Sequence, residues 1–166
     1  VFIPLLPRAE PHVEAQAIAH GSRGGSDQNP GRVVPRGFDQ VDLRARIADA
    51  GVADRVWQVF SPASWLIVEN DEVVGLCSIT RPPERGVIDI GYGVAPSRQG
   101  RGSAGRAIGE IVAWAKASAD VTAITADTST TNLASQRVLE RNGFIRVGER
   151  IDKEDGPLIC WRCPTA

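Results

Sequence analysis

Between Val94 and Gly105 the chain reads Val94-Ala-Pro-Ser-Arg-Gln-Gly-Arg-Gly-Ser-Ala-Gly105. Glycines between a strand and a helix let the backbone come close to a ligand. A helix start supplies unpaired N–H groups and a partial positive charge. Together these suit a phosphate, and Arg98, Arg101 and Arg106 add full positive charges beside it. The bland alternative is a plain loop with a glycine-rich helix entry. Gly100-x-Gly102-x-x-Gly105 also satisfies the dinucleotide fingerprint, with Asp120 about 20 residues on. Two features count against a dinucleotide fold. Pro96-Ser-Arg-Gln separates the strand from the first glycine, and roughly 60 residues beyond the loop are too few for the second half of a doubly wound domain.

Other chemistry is thin. Cys77 falls in a strand and Cys160 and Cys163 near the end, while His12 and His20 lie in the weakly patterned N-terminal part. A Cys–His nucleophile is hard to assemble from those positions. Cys160-x-x-Cys163 lacks a second ligand pair, so no metal is expected, and three scattered cysteines make no disulfide scaffold. They point to a reduced, cytoplasmic compartment.

The elements that must hold the loop can be read from periodicity. The 166 residues, 42% hydrophobic and 23% charged with formal net charge −1, fit one globular domain. Near-neutral charge gives no reason to expect nucleic acid, and no apolar stretch approaches the roughly 20 residues that span a bilayer. Pro4 and Pro7 break the short apolar run at the N-terminus, which therefore does not read as a signal sequence. Residues 21–37 hold five glycines, two prolines and Arg23, Arg32 and Arg36 against Asp27, with almost nothing to bury. That stretch reads as a mobile loop, ordered only by a ligand. Residues 42–60 read as helical. Residues 65–68 and 73–79 read as strands around a polar turn, 81–86 as a second turn, and 87–94 as a third strand. Residues 102–116 form a helix with one apolar face, 121–126 a buried strand, 132–142 a second helix capped by Gly143, and 144–151 and 158–163 a last hairpin. Strands followed by strand–helix alternation give a mixed sheet, parallel where a helix crosses over.

Within this frame, Gln99-x-x-Gly102-x-Ala104, behind a strand ending Val94-Ala-Pro96, resembles the acetyl-CoA pyrophosphate loop of the GNAT superfamily of N-acyltransferases. Asp127-Thr-Ser-Thr-Thr-Asn132-Leu-Ala-Ser135, continuing to Leu139-Glu-Arg-Asn-Gly143-Phe144, resembles that superfamily's next motif. The form Asn-x-x-Ser with Leu-Glu-x-x-Gly-Phe is closest to the ribosomal-protein N-terminal acetyltransferase branch. Asp89-Ile-Gly-Tyr92 likewise resembles that branch's acidic-Ile-Gly-Tyr strand. The resemblance spans residues 64–163. Residues 1–60 depart from it: Phe2-Ile-Pro-Leu-Leu-Pro7 only faintly echoes the branch's basic, leucine-rich opening strand.

The resemblance implies an α/β (α+β) fold in a single domain over residues 1–166. Its sheet is mixed and mostly antiparallel, splayed between two central strands, with helices on both faces. Residues 64–163 would form the acetyl-CoA-binding core and residues 1–60 a diverged acceptor side. The implied reaction is direct attack of an amine on the thioester of acetyl-CoA in a ternary complex. The acceptor would be a small-molecule amine or a protein N-terminus, and the protein a monomer or homodimer. Two alternatives stay open: a module that binds acyl-CoA without turnover, and the dinucleotide enzyme.

Roles follow by position. Val94 would pair with the pantetheine arm like an added strand, and a strand N–H would polarise the carbonyl. Gly100, Arg101, Gly102, Ser103 and Ala104 would hold the pyrophosphate through backbone N–H groups, with Arg98 and Gln99 beside them. Asn132 would contact the pantetheine or cap its helix. A base is needed because amines are largely protonated at pH 7. Asp89 is the first candidate, with desolvation expected to raise its pKa, and Glu69 the second. Asp89 could equally be an edge-strand acid facing water. Many superfamily members carry a tyrosine where this chain has Leu139. Tyr92 and Ser135 are the remaining hydroxyls that could serve the leaving sulfur.

Overall fold

The computed structural model describes residues 56 and 59–165 together with the backbone of residues 2–5. The expected loop 21–37, most of the helical stretch 42–60, and His12 and His20 lie outside the described residues. Seven strands form one sheet in the order β1-β2-β3-β4-β5-β7-β6. They are β1 (Phe2–Leu5), β2 (Ser64–Glu69), β3 (Glu72–Glu84), β4 (Val87–Val94), β5 (Ala123–Ser129), β6 (Ile145–Asp152) and β7 (Gly156–Pro164). Helix α1 (Ser103–Ala117) joins β4 to β5, and α2 (Leu133–Arg141) joins β5 to β6.

Every neighbouring pair is antiparallel except β4 and β5, whose connection through α1 forces a parallel crossover. That parallel pairing lasts only from Val87↔Ala123 through Ile88↔Ile124 to Asp89↔Thr125. Beyond it β4 runs on to Val94 and β5 to Ser129 without pairing, so the centre of the sheet opens as a V. The splay expected between two central strands is therefore present.

The packing explains why the two arms stay in place. Ile108, Ile111 and Ala115 of α1 and Leu139 of α2 are buried in one cluster with Ile88 and Ile90 of β4 and Ile124 and Ala126 of β5. Full burial of each large aliphatic side chain contributes roughly 1.5–3 kcal/mol. Both described helices thus cover the same face of the sheet. Trp114 of α1 adds edge contacts to Phe60 and Trp65. A second, smaller cluster packs Ile67 and Val74 against Ala107 in the first half of α1.

The largest boundary difference from the sequence expectation is at the end of β3. The turn read at residues 81–86 contracts to Arg85 and Gly86, both at positive φ, because β3 continues through Pro82 and Pro83 to Glu84. The register shifts on either side of Arg81 account for this. Where a ladder is already interrupted, a proline's missing N–H costs no hydrogen bond. Elsewhere the polar turn at Asn70 and Asp71 takes positive φ between β2 and β3, and Gly143 ends α2 at φ 84°. No described helix is long and apolar enough to cross a membrane.

Candidate active site

The first part of the site is the loop at the mouth of the V. Pro96–Arg98 make one 3-10 turn, after which Gly100 (φ 75°) and Gly102 (φ 79°) bend the chain through the left-handed region that glycine tolerates. Gly102 is the N-cap of α1, with no side-chain cap and no acidic residue in the first turn. The first bond into the helix is Arg106 N–H to the Gly102 carbonyl at 3.0 Å. The N–H groups of residues 100–105 accordingly donate to no other described residue. Unpaired N–H groups at a positive helix end form a cradle that fits a diphosphate. The Gln99 side chain donates to the Val94 carbonyl at 3.0 Å, which ties the loop to the end of β4.

The loop arginines are held from the β2–β3 hairpin. Arg98 pairs with Glu72 and Arg106 with Glu69, and Arg106 also donates to the Arg101 carbonyl at 3.0 Å. Arg101 is exposed and makes no side-chain hydrogen bond among the described residues. The nearby Ser103 hydroxyl first, then the Arg106 and Arg101 guanidiniums, hold the Glu69 carboxyl below the usual carboxylate range, against burial. Glu69 therefore stands at the phosphate cradle as an arginine partner, away from the apex of the V.

Asp89 is the last residue of β4 to pair with β5 and sits at that apex. One carboxylate oxygen accepts from Thr125 Oγ1 of β5 at 2.6 Å and from Arg81 Nη2 of β3 at 3.0 Å; the other accepts from the Thr80 hydroxyl. Its surroundings are donors from two neighbouring strands. The apolar setting expected from sequence is not what encloses its oxygens, although the side chain is only 15% exposed.

The arms of the V are bridged by two hydroxyls. Tyr92 Oη on β4 lies 2.7 Å from Ser135 Oγ in the first turn of α2, and also donates to the Ser135 carbonyl at 3.3 Å. Burial pushes the Tyr92 phenol up to about 12, partly offset by the Ser135 hydrogen bond, so it stays protonated at neutral pH. Asn132 caps α2, its Oδ1 accepting from Ser135 N–H at 3.1 Å, while Gln136 donates to the carbonyls of Ser129 and Thr130. Leu139 is wholly buried in the core.

The geometry thus gathers Val94 and residues 98–104 at one end of the cleft and Tyr92, Asn132 and Ser135 across it. Glu69 stands with the first group, paired with Arg106, and Asp89 sits at the apex. Sequence reasoning did not find Thr80, Arg81 and Thr125 around Asp89, or the glutamates behind the arginines. Those partners are 8 to 37 residues away, and no local pattern signals them. The three cysteines are free, and no cluster of metal ligands exists among the described residues.

Comparisons with known proteins agree with this arrangement. A family model described as an acetyltransferase (GNAT) domain matches residues 22–145. The uncharacterized N-acetyltransferase YjdG of Bacillus subtilis (strain 168) is 38% identical over 85 residues, 49% of this chain and 51% of that protein. Among solved structures, AAC(6')-Ib in complex with ribostamycin and coenzyme A shares 24% identity at a TM-score of 0.54, covering 61% of this chain and 63% of the other. The ribosomal-protein-S5-alanine acetyltransferase of Vibrio fischeri shares 20% identity at a TM-score of 0.57, over 61% of each chain. The chain spans about half the length of the curated relative and less than two thirds of these solved structures. At such identities the structural likeness concerns the fold.

Proposed function

Since the chain belongs to the GNAT acetyltransferase family, we propose that it transfers an acetyl group from acetyl-CoA to a primary amine. The observation that carries this reading is the row of N–H groups over residues 100–105 that donate to no described residue at the start of α1. A diphosphate there would gain several hydrogen bonds and the charge of Arg101 together. The unpaired edge of β4 beyond Asp89 leads away from it and suits an extended pantetheine arm pairing as a strand would.

The chemistry asked of the chain is modest. The amine nitrogen bonds to the thioester carbon, the carbon–sulfur bond breaks, and sulfur leaves with the electron pair while the amine's extra proton passes to water. A β4 backbone N–H polarises the carbonyl. Ser135 hydrogen-bonds the departing sulfur. Asp89 acts by fixing the apex from which the arms diverge, since its oxygens are already taken up by Thr80, Arg81 and Thr125. The acceptor is a small-molecule amine or a protein N-terminus. The second of these is favoured by Asp89-Ile-Gly-Tyr92 and the Asn132-x-x-Ser135 form.

The test is calorimetric titration with acetyl-CoA, followed by thiol release with a panel of amines and N-terminal peptides. Micromolar-range binding that Gly102→Val weakens about tenfold or more, by forcing a β-branched residue to positive φ, is the expected result. Parental affinity in Gly102→Val would remove the phosphate from this loop. Binding without thiol release from any amine would leave a module that holds acyl-CoA and does not turn it over.

A further inference from the structure

We propose that Tyr92 is a positioning residue for the transfer: it donates its hydroxyl proton to Ser135 Oγ and so turns the serine's own proton out toward the departing sulfur. This rests on the reading of Ser135 given above. The two hydroxyls lie 2.7 Å apart although their residues are 43 positions apart in the chain. Two hydroxyls in contact share one proton between them, so one of the pair is left with a proton to give elsewhere. A phenol is much the stronger acid of the two, which makes it the donor within the pair, the Ser135 carbonyl at 3.3 Å being the longer of its two acceptors. A serine in a helix can instead spend its proton on the carbonyl four residues back. Here Ser135 Oγ has Tyr92 as its only partner among the described residues.

The location gives this pairing a purpose. Tyr92 stands on the β4 arm three residues past the apex, and Ser135 in the first turn after the β5 arm, so their contact closes across the cleft. Leu139, one turn further along α2, is wholly buried and carries no hydroxyl. The strand supplies a tyrosine through the serine. Neither residue changes protonation state. Sulfur leaves as the thiolate, accepts a hydrogen bond from Ser135, and takes its proton from water on release.

The readout is the thiol pKa of bound coenzyme A, followed by thiolate ultraviolet absorbance in the parent protein, Ser135→Ala, Tyr92→Phe and the double variant. A donor to sulfur stabilises the thiolate and lowers that pKa; a merely structural residue does not move it. Ser135→Ala is expected to raise it by about one unit and Tyr92→Phe by about half a unit, the scale of a neutral hydrogen bond. In the double variant Tyr92→Phe should add nothing, because its effect passes through Ser135. A raised value in Ser135→Ala beside an unchanged one in Tyr92→Phe overturns the proposal and leaves the Ser135 reading standing. No change in either overturns both. Tyr92 is the single tyrosine of the chain, so growth on fluorotyrosine replaces it alone. That stronger donor should lower the thiol pKa by a few tenths, and an unchanged value would overturn the proposal even if Tyr92→Phe did not fold.

Discussion

Two helices begin at the mouth of the cleft, and they begin in opposite ways. Helix α2 starts closed: Asn132 takes up the Ser135 N–H, and Gln136 ties the preceding loop to itself through two carbonyls. Helix α1 starts open, with a left-handed glycine as N-cap and no side-chain cap among the described residues. Orphan N–H groups at a helix end are ordinarily met by a cap, by water or by a ligand. Where the chain caps itself, the helix start is architecture, and it serves here to present Ser135. Where the chain withholds a cap and surrounds the end with arginines, the proposed diphosphate would be the partner.

The sharpest way to break this contrast is to give α1 the kind of cap α2 has. Gly102→Asp places a carboxylate over the orphan N–H groups in a backbone region that aspartate tolerates better than β-branched residues do. The helix should keep its stability, since a negative N-cap suits the positive helix end. Acetyl-CoA binding should fall on the order of 100-fold, because a fixed charge about 4 Å from a diphosphate opposes it by several kcal/mol at an effective dielectric near 20. Calorimetry and a thermal melt read the two effects separately. Unchanged affinity with an unchanged melt would show that the open helix start is not the phosphate site.

A smaller effect is expected at the apex between the two helices. Asp89→Asn removes the charge that Arg81, Thr80 and Thr125 converge on, while keeping the side chain's size. Hydrogen bonds to a charged group contribute about 1.5–3 kcal/mol, so melting should fall by roughly 5 °C or more in a chain of this length. If Asp89 is the pin of the V, any loss of turnover is the same at pH 7 and pH 9. A deficit of about 100-fold at pH 7 that closes as free amine becomes abundant would instead make Asp89 the general base.

What could be read from sequence divides along the same lines as the two helix starts. The open start was legible because its signal is local: glycines that must take positive φ, and arginines within a few residues of them. The Gly143 cap, the hairpin at Asn70 and Asp71 and the apolar face of α1 were legible for the same reason. The strand extension through Pro82 and Pro83 was not, because a proline pair reads as a turn unless the register of the partner strand is known. The apolar sequence neighbours of Asp89 predict a desolvated acid, whereas its neighbours in space are hydroxyls and a guanidinium on β3 and β5. The Tyr92–Ser135 contact was invisible for a related reason. Each residue's chemistry shows in the sequence, but only the fold brings the two hydroxyls within 2.7 Å.

The smallest expected effect concerns the closed helix start. Asn132 has its Oδ1 engaged as a cap, while its Nδ2 donates to no described residue and the side chain is exposed. If capping is its whole role, Asn132→Ala costs about 1 kcal/mol and lowers the melting temperature by about 2–4 °C, with acetyl-CoA affinity unchanged. Asn132→Asp keeps the acceptor and removes the amide donors, so it should melt like the parent. The two variants together separate a cap from a ligand contact. Loss of affinity in both, with stability lost only in alanine, would mean that the Nδ2 donor reaches the pantetheine and that α2, too, opens toward the ligand. Parental affinity in both keeps the two helix starts distinct, one filled by the chain and one left for the acyl donor.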